Sequence, residues 1–343
     1  MRTMILKKNA VLFICMMLCI IAGKHSIAQD SIAGGINDNA RHPYIEWKSQ
    51  YPDHKAGEVK VNTVKKIYNF LVQKDKEVGI SRPVAIVGKT PASFWVLDQG
   101  AQTMYQVEKK KADRPKAFKK KENYFSSLVG VCELPDGDLL FTDSRLNKVY
   151  RFSKDEKKLI EFNDTNQLQQ PTGIAYSAVN NEIWVVETGA HRVSVFNRAG
   201  QLLRRTGSRG DDTGQFNFPT SICIDKAGDA YIVDAMNFRV KILNKKGEFV
   251  TAFGEAGDFS GSFARPKGIA TDTYGNIYVS DALFHVVQIF DRAGNFLYSF
   301  GKQGRGKEEF WMPAGIYIDS KNYIYVADSY NSRIQVFQLI NGS

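Results

Sequence analysis

Six acidic residues recur at near-constant intervals, and two histidines follow two of them at a fixed offset. Asp98, Asp143, Glu187, Asp234, Asp281 and Asp328 are separated by 45, 44, 47, 47 and 47 residues. His191 and His285 each fall four residues after the acidic residue of their own repeat. Carboxylates with nearby imidazoles are the raw material of a metal site. The spacing argues for a structural role instead. One carboxylate per repeat, each closing a short apolar run, is suited to accepting backbone N–H groups in the turn that follows. Arg192, Arg239 and Arg333 are placed to pair with it. The histidines are expected in exposed turns two repeats apart, too few and too separated to share an ion.

The elements that position these residues are short strands. Around Asp328, Ile316 and Ile318 alternate with Tyr317, then Ile324-Tyr-Val326 runs to the carboxylate, then Ile334-Gln-Val-Phe337 follows a turn at Asn331. The same order recurs from Pro266, Pro219 and Pro171, with weaker copies ending at Asp143 and Asp98. A fourth strand starts 17 residues before the next repeat's proline, at Leu202, Phe249 and Phe296. Turn residues such as Gly200, Gly247 and Gly294 separate strands three and four. Apolar runs such as Ile-Trp-Val-Val are what strands buried on both faces require. Repeats at this period dominate the fold. The last repeat ends without a fourth strand, and residues 65–72 read as a fourth strand with nothing before it. The expected fold is all-β: a six-bladed β-propeller of four-stranded blades over residues 65–340, its ring closed by that N-terminal strand.

The pattern Pro-x-Gly-Ile, Gly-Asn-Ile-Tyr-Val-x-Asp and Asn-x-Arg-Ile-Gln-Val-Phe resembles the NHL repeat, most fully over Pro313–Phe337 and Pro219–Leu243. The resemblance implies a six-bladed propeller, in agreement with the count. It is weakest in the first two units, where Gln102, Thr103, Leu146 and Lys148 depart from it. NHL-type relatives include zinc lyases that hold the metal with several histidines and calcium lactonases with acidic and amide ligands in the channel. Two propeller histidines at non-adjacent turns leave a zinc site of that kind short of ligands.

The ends and the composition add context. Arg2, Lys7 and Lys8 precede a 12-residue apolar run, Val11–Ala22, and Ser26-Ile-Ala28 fits a cleavage site, so a signal peptide over residues 1–28 is expected, cut after Ala28. The run is shorter than the ~17–25 residues a membrane span needs. An exported, periplasmic or secreted protein follows, with residues 29–64 as a partly ordered extension. The net charge of +10 falls to +6 once Arg2, Lys7, Lys8 and Lys24 leave, an excess that calls for no nucleic acid. The densest basic run, Lys109 to Lys121, reads as a solvated blade edge. Cys132 and Cys223 occupy one repeat position, two repeats apart, and read as small buried thiols.

With no catalytic constellation in the chain, the expected role is non-enzymatic. One face should carry the inter-blade connections and the turns after the acidic residues. Its candidate partner-binding residues are His191, Arg209, Phe238, Phe284, His285 and Tyr330, with a protein, peptide or glycan as partner. Phe216 and Phe310 are expected to plug the joints between blades. No cofactor is called for. The competing reading is a metal-dependent lyase or lactonase with calcium or zinc at the channel mouth.

Overall fold

A computed structural model describes residues 44–53, 79–115, 118, 125–162 and 168–340. It contains six four-stranded antiparallel sheets. Five are consecutive in the chain: blade 1 (83–113), blade 2 (128–161), blade 3 (171–206), blade 4 (219–253) and blade 5 (266–300). Blade 6 takes three strands from the C-terminal end, Pro313–Ile318, Tyr323–Asp328 and Arg333–Ile340, and its outer strand from Tyr44–Tyr51. The fourth strands of blades 3 to 5 begin at Leu202, Phe249 and Phe296, where the spacing places them.

The first strand of each blade forms the inner wall. Each lies against the first strand of the next blade, and Pro83–Thr90 of blade 1 lies against Pro313–Ile318 of blade 6, so the ring is closed. In blades 3, 5 and 6 a glycine two residues after the proline permits this approach, and Gly130 holds the equivalent place in blade 2. A Cβ on Gly268 would meet the Ala314 carbonyl oxygen at 2.6 Å and the Ile316 nitrogen at 2.8 Å. Hydroxyl groups tie the inner strands together: Thr142 Oγ1 donates to Thr172 O at 2.6 Å, and Ser329 Oγ to Pro83 O at 2.8 Å.

The core lies between blades. Trp184, Tyr231, Tyr278 and Tyr325 stand at the same place in the second strands of blades 3 to 6 and are fully buried. The last three donate their hydroxyls to Asp225, Asp272 and Asp319 at 3.0–3.1 Å, which satisfies the one polar atom each carries inward. Phe216 and Phe310 are the expected plugs, 1 % and 0 % exposed, and Phe263 is a third. The ring of Phe310 presses on Gly301, whose φ of +95° and missing Cβ leave room for it; a Cβ there would lie 2.4 Å from the ring.

One expectation is corrected. The strand that completes blade 6 is Tyr44–Tyr51, from the segment read as an extension. Residues 65–72 lie outside the described residues, as does the expected signal peptide, 1–28. Cys132 is buried, Cys223 is half-buried, and both are free. Burial pushes the Cys132 thiol up to about 12, so it is inert at neutral pH. Among the described residues no helix is long and apolar enough to cross a membrane.

Candidate functional site

All six repeating carboxylates are fully buried. Each reaches back to the segment that leads into its own blade's first strand. Asp98 accepts the backbone N–H groups of Ser81 at 2.6 Å and Arg82 at 3.1 Å, Asp143 those of Ser126 and Ser127, and Asp281 those of Ala264 and Arg265. Gln169, Asn217 and Trp311 donate in the same way to Glu187, Asp234 and Asp328. Arg192, Arg239 and Arg333 pair with the last three at 2.7–2.9 Å. The ring of acids is therefore consumed in holding strand entries. Burial pushes Asp328 above the usual carboxylate range, against the N–H of Trp311, Asn331 and Arg333.

The position four residues after each carboxylate is a left-handed turn residue in every blade: Gln102, Asn147, His191, Phe238, His285 and Ser332, with φ of 49–60°. In three of them a side-chain acceptor clips the next blade. Asn147 Oδ1 accepts the N–H of Gln170 at 2.8 Å, His191 Nδ1 that of Phe218 at 3.1 Å, and His285 Nδ1 that of Met312 at 3.1 Å. Each donor immediately precedes a blade's first proline. His191 is buried and also packs edge-on to Phe218 at 4.4 Å, so the expectation of an exposed turn histidine does not hold there. A buried imidazole nitrogen that accepts a backbone N–H has no lone pair left for a metal on that atom.

This clip has a consequence for acid stability. Burial holds His285 below its ordinary value of 6.5, outweighing the upward pull of Asp281 and Asp328. Its Nδ1 must be unprotonated to accept from Met312. The folded-state pKa therefore lies below the unfolded one. The contribution is complete above about 6.5 and is lost as pH falls from there through the folded value. Urea midpoints measured at pH 7 and pH 5 should show a drop in the wild type that is smaller in His285→Asn, which places the acceptor of Asn147 in the blade 5 turn. An equal drop in both would separate the clip from the pH response.

The face that carries these turns is asymmetric. The residue two after each carboxylate sits at the turn tip. In blades 4, 5 and 6 it is Met236, Leu283 and Tyr330, which are 54 %, 51 % and 54 % exposed. In blades 1 to 3 it is Gly100, Arg145 and Gly189. Phe218 adds exposed apolar surface beside Met236. Trp311 packs near Tyr330 and carries the Arg305 guanidinium over its ring at 4.7 Å. Of the residues expected on this face, Tyr330 and Arg209 are exposed, while Phe238, Phe284 and His285 are half-buried. Met236 and Leu283 were not read from the sequence. Their signal is the fixed offset from the carboxylate, where a propeller turn has nothing to pack against.

At the centre of this face opens a channel of about 830 Å³ walled by the six first strands. Its mouth is lined by Gln99, Ser127, Ser144, Met312, Ser329 and Tyr330. Arg82, Arg265 and Lys267 also line it. The one acidic lining residue is Glu133, at the far end of its strand, where it pairs with Lys89 at 3.2 Å. Among the described residues no group of three or more His, Cys, Asp or Glu side chains is placed to hold a metal ion.

Comparisons with known proteins agree with the architecture. A family model for the NHL repeat matches residues 168–196, and one described as a 6-bladed beta-propeller matches residues 270–343. No curated protein sequence matches the chain. Among solved structures, an inactive variant of virginiamycin B lyase from Staphylococcus aureus with quinupristin aligns with a TM-score of 0.57 at 16% identity, over 78% of this chain and 98% of that one. An auxiliary nutrient binding protein from Bacteroides thetaiotaomicron aligns with a TM-score of 0.61 at 14% identity, over 76% and 70%. One of the same description from Bacteroides ovatus aligns at 0.59 and 14%, over 77% and 70%. At these identities the likeness is one of fold.

Proposed function

We propose that this chain, an NHL-type six-bladed β-propeller, is an exported, non-catalytic binding protein that holds a protein, peptide or glycan partner on the turn-bearing face. The export part rests on the leader in the sequence. The binding part rests on one observation: Met236, Leu283 and Tyr330 stand half-exposed on three consecutive turn tips around a cationic channel mouth. Scattered exposed apolar residues need no explanation, but three on consecutive turn tips of one face, with arginines on the same face, have the composition of an interface core. The fold neighbours include an enzyme and nutrient-binding proteins, and fold alone does not choose between them. The site's chemistry favours the binder, because the carboxylates and both propeller histidines are engaged by the backbone.

The test is capture from the native cell envelope followed by measured binding of the recovered partner. The triple variant Met236→Ser, Leu283→Ser, Tyr330→Ser should lose at least about tenfold in affinity, since buried aromatic and apolar anchors carry most interface energy. Unchanged affinity would discard the face. Alanine at Phe238 or Phe284 is a poorer test, because both rings are half-buried and that of Phe238 also packs on the core between blades 4 and 5. Metal analysis after native purification addresses the lyase or lactonase reading: stoichiometric zinc or calcium would support it against the one proposed.

A further inference from the structure

Lys267 is the single charged residue at its position in the six inner strands. The second residue of the strand is Val84, Val129, Thr172 and Thr220 in blades 1 to 4, and Ala314 in blade 6. A small or uncharged side chain therefore satisfies the architecture. Lys267 lines the channel, is half-buried, and has no hydrogen bond or ion pair to its ammonium among the described residues. The two buried cations among the described residues are fully engaged: Lys241 donates to three carbonyl oxygens, and Arg333 pairs with Asp328 and donates to three carbonyls. A partly desolvated ammonium without a partner is costly and needs a reason.

The charges around it deepen the problem. Burial, then the guanidinium of Arg265, then that of Arg82, hold the Lys267 ammonium below the usual lysine range. Arg82 uses one nitrogen on Gln99 Oε1 at 2.6 Å. No carboxylate lines this end of the channel. Three cations thus converge on one mouth, and the neighbouring rim is the apolar arc of Leu283 and Tyr330. Like charges gathered without counter-charge are stabilised by an anion placed among them.

We infer that the channel mouth seats an oxyanion group, a carboxylate or a phosphate, against Lys267, with Arg82 and Arg265 beside it and the apolar body of the same molecule lying over Leu283 and Tyr330. The inference deepens the binding reading of this face and rests on it for the apolar half of the ligand. The ligand is amphipathic and anionic, whether a small organic acid or the free C-terminus of a peptide. Lys267 is a binding residue in this account and takes part in no bond-making step.

The test is calorimetric titration of the full chain with octanoate, octyl phosphate and octanol, and with a short apolar peptide as free acid and as amide. Wild type should bind at least one anionic probe roughly tenfold or more tighter than octanol, as an ionic hydrogen bond to a half-buried cation requires. Tight octanoate or free-acid peptide with weak octyl phosphate would assign a carboxylate, and the reverse a phosphate; a free-acid peptide well ahead of octanoate would assign a chain terminus. Lys267→Met should bring the anions down to the octanol level. It should not lower the melting temperature of the free protein, because the side chain it replaces makes no bond. Leu283→Ser with Tyr330→Ser should weaken all probes, octanol included. Anions bound equally by wild type and Lys267→Met would overturn the proposal, as would an absence of discrimination between anions and octanol. Partner capture that depends on the turn tips while no anion binds would sink the seat and leave the binding face standing. Anions that bind through Lys267 while capture ignores the turn tips would do the opposite.

Discussion

Deleting residues 42–53 should lower the unfolding midpoint of the protein and drive the chain to associate through an open strand edge. The strand Tyr44–Tyr51 pairs with Arg333–Ile340 from Tyr44 opposite Ile340 to Tyr51 opposite Ile334. It joins the two ends of the ring, so its loss frees blade 6 along one edge. That edge would be eight residues of apolar and polar strand with unpaired N–H and C=O groups, a template for intermolecular pairing. Side chains add to the loss. Trp47 donates its indole N–H to Gln335 Oε1 at 3.0 Å, and Arg333 donates to Gln50 Oε1 at 3.0 Å. Ile45 and Trp47 pack on the cluster that holds Phe310 and Phe337. A milder probe is Trp47→Ala, which should cost about 2–3 kcal/mol for a half-buried indole and its hydrogen bond, a fall of about 5 °C in melting temperature. The deletion should be rescued by a peptide of residues 42–53 added in trans, since it offers the free edge the strand it lost. Gel filtration and denaturant unfolding check both. A deleted chain with an unchanged elution volume and an unchanged midpoint would mean that the ring does not depend on this strand.

The misplacement of that strand shows what a repeat can and cannot reveal. Within the array, the proline, the carboxylate and the start of the fourth strand keep fixed distances because each blade hands the chain to the next across the same joint. That geometry made Leu202, Phe249 and Phe296 legible as strand starts. The closing strand is not handed on by a preceding blade, so the 17-residue rule does not apply to it. Its own pattern is weakened by a bulge between Trp47 and Ser49, which breaks the alternation that begins with Ile45 and Trp47. The carboxylates were legible as acceptors of backbone N–H groups because a structural device recurs, but the following turn supplies those donors only to Asp98, Asp143 and Asp281, and the strand entry 16–18 residues upstream supplies them to all six. The candidate site was less so. His191 and His285 looked like isolated turn residues, because their partners, the N–H groups of Phe218 and Met312, lie 27 residues away across a blade joint. Lys267 and the tips Met236 and Leu283 are departures from the repeat, and a repeat pattern draws attention to what is shared. Function in an array of equivalent units resides in such departures.

Lys241→Met should be among the most destabilising single substitutions in the protein, at about 3 kcal/mol or more, while Lys241→Gln should cost less than about 1 kcal/mol. Lys241 is fully buried in the third strand of blade 4, and its ammonium donates to the carbonyls of Asp212, Thr213 and Gln215. It lies 4.9 Å from the Phe216 ring centre and 5.5 Å from that of Phe249. These bonds hold the connection 207–217 against the blade. Methionine fills the volume and takes the ammonium donor from three carbonyls, of which Asp212 O still accepts the Gln215 N–H at 3.1 Å. Glutamine is what blades 5 and 6 already use at this place. Gln288 Nε2 donates to Ser262 O, and Gln335 Nε2 to Glu309 O, both at 2.7 Å. The charge itself leaves a signature in pH. Burial lowers the Lys241 pKa from 10.5 to about 8. The folded value lies below the unfolded one, so between about 8 and 10.5 the unfolded chain binds the extra proton. Stability of the wild type therefore rises with pH across that window relative to the glutamine variant, and below about 8 the two differ by a constant. Guanidinium midpoints at pH 7, 9 and 10 for the three proteins carry the measurement. Equal losses in the methionine and glutamine variants, or a wild-type-to-glutamine difference flat across the window, would show that the connection is held by packing and not by the buried amine.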